Sequence, residues 1–217
     1  MQQFGGFSPE TIDFLWGIRM NNNREWFLEH KKDYVQYLYE PMKALGKDLF
    51  APFLERPGNV LKVSRIYRDA RMHHPLPYKE SLWISIRQDV DWWAENPCLY
   101  FEITPDEVSY GFILLRPRVS TMNDLRQAWA ERPREFLELM EKTEAATGVP
   151  VTAKLYKRPK EAPIPELAPY YAWKEYISCI REEPIAPGVF GPELGQRAGE
   201  FIEKLVPVYE YFNRFRV

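Results

Sequence analysis

The chain has 217 residues, 45% of them apolar, with 29 Lys and Arg set against 31 Asp and Glu. That is enough apolar material for one sizeable core in a single domain, and the near balance of charge argues against a globally basic nucleic-acid binder; any basic patch must be local. Cys98 and Cys179 lie far apart without a second thiol near either, which removes CxxC redox chemistry and zinc knuckles and fits a reducing cytoplasm. The opening MQQFGGFSPET lacks the blocks of a signal peptide, and no apolar run approaches the ~20 residues that cross a bilayer, so a soluble cytoplasmic protein without membrane contact is expected.

Taken in chain order, Ser8, Pro9 and Glu10 start a helix: a hydroxyl to cap, a proline for the first turn, an acid on the dipole. That helix carries Ile12, Phe14, Leu15 and Ile18, and Asn21, Asn22 and Asn23 break it. Asn23 caps a second helix from Arg24 to about Tyr39, and Pro41 opens a third through about Leu54. After Pro57 and Gly58 the helical period gives way to alternation. Strands are predicted at Leu61 to Arg71, Leu82 to Asp89, Leu99 to Thr104 and Val108 to Leu115, the last two forming a hairpin over Pro105 and Asp106. Thr121 caps a helical stretch reaching Ala146, bent or divided at Pro133 and stopped by Gly148 and Pro150. A strand at Val151 to Tyr156, a proline-rich connector from Arg158 to Pro169, a strand at Tyr176 to Arg181 and a helix from about Pro192 to Phe215 complete the pattern. Helices, then strands, then helices, without β-α-β alternation, imply an α+β fold: a helical N-terminal region, a central antiparallel sheet and further helices packed on it.

The segment richest in chemistry is VSRIYRDARMHHPLPYK, from Val63 to Lys79. Arg65, Arg68, Asp69, Arg71 and Lys79 crowd one predicted strand and its turn, and guanidinium groups with one carboxylate among them suit the holding of an anion or a rigid charge network. In a strand Arg65, Tyr67, Asp69 and Arg71 share a face begun by Leu61 and Val63, while Ile66, Arg68 and Ala70 take the other. Leu82, Ile84 and Ile86 of LWISIR form an apolar face, and pairing of the two strands would let Arg87 join the charged one.

Three stretches, FGGFSPETIDFL with NNNREWF, SRIYRDAR with PYK, and LWISIR, fall in an order that resembles the bacterial family catalogued as domain of unknown function 2461, over nearly the whole chain. The resemblance implies a single α+β domain and carries over no activity, substrate or cofactor. In the commoner form of that family the arginine-rich strand leads into a phenylalanine and a lysine-rich turn. Here Met72, His73, His74, Pro75, Leu76 and Pro77 fill that turn.

Two readings of the charged strand stand side by side. In one, Arg65, Arg68, Asp69, Arg71, Tyr78, Lys79 and Arg87 line a pocket for a small phosphate- or carboxylate-bearing ligand, in a binder or an enzyme. In the other they form a structural network pinning the sheet to the N-terminal helices through Glu25, within a protein-interaction or structural module. Among arginines Asp69 would stay ionised, which suits positioning better than proton transfer; Tyr67 and Tyr78 could be acidified by the cations, although packing explains them as well. His73 and His74 are adjacent and point apart in extended chain, so no metal is assigned; His30 fits an exposed helix face, and Asp89 with Asp91 an ordinary strand end. Phosphate-loop, GxGxxG and GxSxG patterns are absent. Trp16, Trp26 and Trp129 fall on predicted helices and read as core, whereas Trp92, Trp93 and Trp173 leave room for a stacking platform, and so for a third reading, single-stranded nucleic acid or a nucleotide.

Overall fold

A helix opens at Pro9 because Ser8 is extended and Pro9 has no amide proton to lose. Ser8 and Thr11 close this start as a capping box, in which Thr11 Oγ1 accepts the Ser8 amide at 3.2 Å. The computed structural model describes residues 3–69 and 76–216. Its first helix, α1 (Pro9–Met20), is followed by α2 (Arg24–Glu29), capped by Asn23 Oδ1 on the Trp26 amide at 3.0 Å as its sequence requires. The expected single helix to Tyr39 is broken at His30 and resumes as α3 (Lys31–Asp33), a π-helical stretch (Tyr34–Tyr39) and α4 (Glu40–Phe50).

Among the described residues six strands form one antiparallel sheet: β1 (Asn59–Val63), β2 (Leu82–Gln88), β3 (Pro97–Ile103), β4 (Glu107–Leu114), β5 (Thr152–Leu155) and β6 (Trp173–Pro184), in the order β1-β2-β3-β4-β6-β5. The β3–β4 hairpin over Pro105 and Asp106 forms as predicted, held by Thr104, whose hydroxyl accepts the Asp106 and Glu107 amides at 3.1 and 3.0 Å. Between β4 and β5 run α5 (Val119–Glu131) and α6 (Pro133–Thr147), divided at Pro133 and stopped at Gly148 in the left-handed region. Thr121 does not cap α5; the helix starts two residues earlier and Thr121 is buried in its first turn. A short α7 (Ala168–Tyr171) precedes β6, and α8 (Glu193–Asn213) ends the fold. The α+β class expected from the element order is the one observed, with helices packed on an antiparallel sheet.

Register decides which side chains face the helices. Across β2, β3 and β4, Ile84 pairs with Phe101 and Phe101 with Tyr110, while Ile86 pairs with Leu99 and Leu99 with Phe112, all of them buried. The helices α4 and α8 lie on this face. Phe201 meets Tyr110 edge-on at 5.6 Å, and Phe212 lies 5.5 Å from Phe112. At the far edge the buried Arg126 of α5 donates to the carbonyls of Tyr171 and Trp173 at 3.3 and 2.7 Å, fixing the start of β6. Trp129 and Trp173 belong to this core, but Trp16 is substantially exposed, against expectation, with the Arg19 guanidinium 4.8 Å above its ring. No described helix is long and apolar enough to cross a membrane.

Candidate functional site

The charged segment leaves the sheet earlier than its alternation suggests. The predicted strand from Leu61 to Arg71 stops at Val63, because Ser64 Oγ takes the Trp83 amide at 2.9 Å while the Ser64 amide donates to the Trp83 carbonyl at 2.8 Å. A side chain thus closes the ladder where the next backbone pair would have stood. Beyond it the apolar phase slips. Leu61 and Val63 pair with Ile86 and Ile84 on the helix-covered face, but the next fully buried side chain is Ile66, an even position. Arg65, Tyr67 and Asp69 therefore do not extend the Leu61–Val63 face; they are exposed, and Arg68 is half-buried. Arg71, His73 and His74 lie outside the described residues.

The segment is caught again by the chain that follows. Tyr67 bridges Tyr78, the Arg68 amide donates to the Pro77 carbonyl at 2.9 Å, and the Lys79 amide to the Ile66 carbonyl at 2.7 Å. Asn22 holds the same loop from the helical side: its Nδ2 donates to the Tyr78 carbonyl and its Oδ1 accepts the Tyr78 amide, each at 3.0 Å. Phe27 of α2 stacks on Tyr78 at 4.3 Å and meets Tyr67 edge-on at 5.6 Å. The NNNREWF, SRIYRDAR and PYK stretches, distant in sequence, thus meet in one place.

A cleft of about 640 Å³ opens beside this junction, lined by Arg19, Tyr67, Arg68, Asp69, Lys79 and Glu80, with Ser81 and Thr104 at its floor. Arg68 is fixed twice: its Nε donates to the Tyr78 carbonyl at 2.6 Å, and a terminal nitrogen lies 3.9 Å from Glu80 Oε1. Glu80 Oε2 takes Arg19 Nε at 3.0 Å, and Arg19 reaches on to Asp106 of the β3–β4 hairpin at 2.8 Å. Arg19 and Asn22, not the exposed Glu25, tie the helices to the sheet. Lys79 differs from the arginines. Its Nζ donates to the Arg65 carbonyl at 2.8 Å and lies 5.5 Å above the Trp83 ring, and it forms no ion pair with a described carboxylate. Burial, reinforced by the charges of Arg68 and Arg65 and only partly offset by Glu102, holds its ammonium below the usual lysine range.

Of the residues expected in a pocket, Arg68, Asp69 and Lys79 line the cleft together, and Arg65 contributes its carbonyl and a nearby charge. Tyr78 belongs to the wall behind them, and burial pushes its hydroxyl up, the reverse of the acidification its cationic neighbours suggest. Arg87 does not join: it sits at the opposite end of β2 and donates to the Gln88 and Val90 carbonyls at 3.0 and 3.3 Å, closing the turn there. Sequence reasoning missed Arg19, Glu80, Ser81 and Thr104; only the sheet register places the hairpin beside the end of α1. No group of three or more described His, Cys, Asp or Glu side chains is placed to hold a metal. His30 is not simply exposed; it stacks on Trp26 at 3.9 Å.

A family model described as conserved hypothetical protein (DUF2461) matches residues 10–211. The chain belongs to the DUF2461 family. No curated protein matches it. The match spans the whole cleft, so the DUF2461 fold supplies every residue lining it.

Proposed function

We propose that the cleft binds a small anion, a phosphate or carboxylate group, with Lys79 as the cation it neutralises and Arg68 as a prepositioned fork beside it. The carrying observation is the state of Lys79: a half-buried ammonium on a cavity wall whose hydrogen bond goes to a neutral carbonyl. An anion in the cleft, which Asp69 and Glu80 also line, would give the Lys79 ammonium a direct ionic partner, and Arg68, already held by Tyr78 and Glu80, would meet it with little further loss of side-chain freedom. Thermal unfolding in inorganic phosphate, against chloride of equal ionic strength, tests this. Phosphate should raise the melting temperature of the native chain and leave that of Lys79→Met unchanged; an equal rise in both overturns the reading.

A second reading has its own support. The Arg19–Glu80–Arg68 chain, with Asp106 at its end, is a strut between α1, the loop and the hairpin. If the strut is the whole purpose, Glu80→Gln destabilises the fold and phosphate has no specific effect on the native chain.

A further inference from the structure

The second face of the sheet carries the alternate positions of the same strands. Ser85 pairs with Tyr100 and Tyr100 with Gly111, and beside them Arg87 pairs with Cys98 and Cys98 with Ile113. On this face the turn containing Trp93 brings its ring to 5.8 Å from Trp83, tilted by 32°. A cavity of about 190 Å³ lies between them, walled by Trp83, Trp93, Tyr100 and Ile113, with Ser85 and Cys98 at the floor. Apolar cavities of about 150 Å³ accept benzene, so this one has room for one ring.

Its floor holds an unmet polar group. Ser85 is 2% exposed and lines the cavity, and its Oγ has no nitrogen or oxygen partner, only a weak contact with the Cys98 sulfur. The neighbouring Cys98 thiol gives its own proton to the Leu99 carbonyl at 3.3 Å, and burial pushes that thiol up to about 12, so it stays protonated and offers Ser85 only a weak sulfur acceptor. A hydroxyl buried in this way is a standing loss that a ligand atom can recover. The rim selects further. Glu102, paired with Trp83 across the strands, places a carboxylate there whose Oε1 is already taken by the Ser81 hydroxyl at 2.6 Å. Glu102 opposes a negative substituent at that point of the rim, while Lys79, 5.5 Å above the Trp83 ring, acts in the other direction, so the site is fitted to a neutral ring.

We propose that this cavity is a binding site for one neutral aromatic ring bearing a single hydrogen-bonding group, of the phenol or indole class. The ring packs against the Trp83 and Trp93 faces, where offset and edge contacts are available, and its polar atom meets Ser85 Oγ, sealed from solvent in the free protein, as the surrounding rings make way. This site has its own lining but adjoins the anion cleft, since Lys79 lies 5.5 Å above the Trp83 ring and Ser81 bonds Glu102.

The test follows the tryptophan indole N–H resonances during titration with phenol, toluene and benzoate. Phenol should saturate them and bind about fivefold tighter than toluene, the worth of one neutral hydrogen bond; benzoate should bind more weakly than phenol. Ser85→Ala should bring phenol level with toluene without weakening toluene. Trp93→Ala, a change at a residue 38% exposed and so compatible with folding, should weaken both by about fivefold or more. Absence of saturable binding by phenol overturns the proposal, as does a phenol preference that survives Ser85→Ala or an affinity indifferent to Trp93→Ala.

Discussion

Asn22 holds Tyr78 by both polar atoms of its backbone, the side-chain amide donating to the Tyr78 carbonyl and accepting the Tyr78 amide, each at 3.0 Å. A side chain between two helices thereby imitates the neighbouring strand that the loop lacks. Asn22→Ala removes both bonds and leaves the loop tied by Arg68 and the ring contacts of Phe27. We expect a loss of about 1–3 kcal/mol in urea unfolding, together with weakened phosphate response, because Lys79 and Arg68 flank Tyr78. A variant as stable as the native chain would refute this role.

Lys79 makes the cleft sensitive to alkaline pH. Its folded ammonium titrates below the ordinary lysine value of about 10.4, so between the lowered value and the ordinary one the unfolded chain binds more protons than the folded chain. Stability therefore carries a penalty at neutral pH that is relieved as pH rises through that window. Lys79→Met should be free of this slope, and phosphate affinity in the native chain should fall over the same range. Urea unfolding of both proteins from about neutral pH to about pH 10 decides the matter; parallel profiles exclude the effect.

Glu183 gives the acid limb. Burial raises its carboxyl, but hydrogen bonds from Arg197, at 2.9 Å, and from the Tyr110 hydroxyl outweigh burial and hold it below the usual carboxylate range. Its stabilisation is present above the unfolded carboxylate value and is lost as pH falls through the lowered one. Arg197→Met should move acid unfolding to higher pH, measured by circular dichroism; an unchanged acid midpoint would count against it.

Gly111 permits a close approach between β4 and β6. At φ 154° it faces β6 so closely that a Cβ would stand 2.1 Å from the Cys179 carbonyl oxygen. Gly111→Ala should cost about 1–3 kcal/mol through backbone strain and loosen the β4–β6 pairing, seen as faster amide exchange across Tyr110–Phe112. Unaltered exchange there would contradict the assignment.

Much of the fold was legible from local chemistry. Asn23, Pro133 and Gly148 act where they stand in sequence, and the alternation of LWISIR survives intact in β2 because both faces are fixed by pairing on each side. The charged segment was harder, since alternation reports which side chains share a face only while the ladder continues. Ser64 ends the ladder with its own hydroxyl, the phase slips, and the expected company of Arg65 and Arg87 dissolves. Arg19 was invisible for a different reason: on a helix it is one more basic residue in a last turn, and its meaning comes from Glu80 and Asp106, 61 and 87 residues away.

The cover that α8 provides has a consequence for the order of events as the chain is made. Strands β1 to β4 can pair early, being close in sequence, but their apolar face meets Phe201 and Phe212 only once the last helix exists. Until then Tyr110 and Phe112 lack that cover on a nascent sheet, the kind of surface that invites self-association. The C-terminal helix therefore closes the last part of that surface, and a chain cut before it would leave the sheet open on that face.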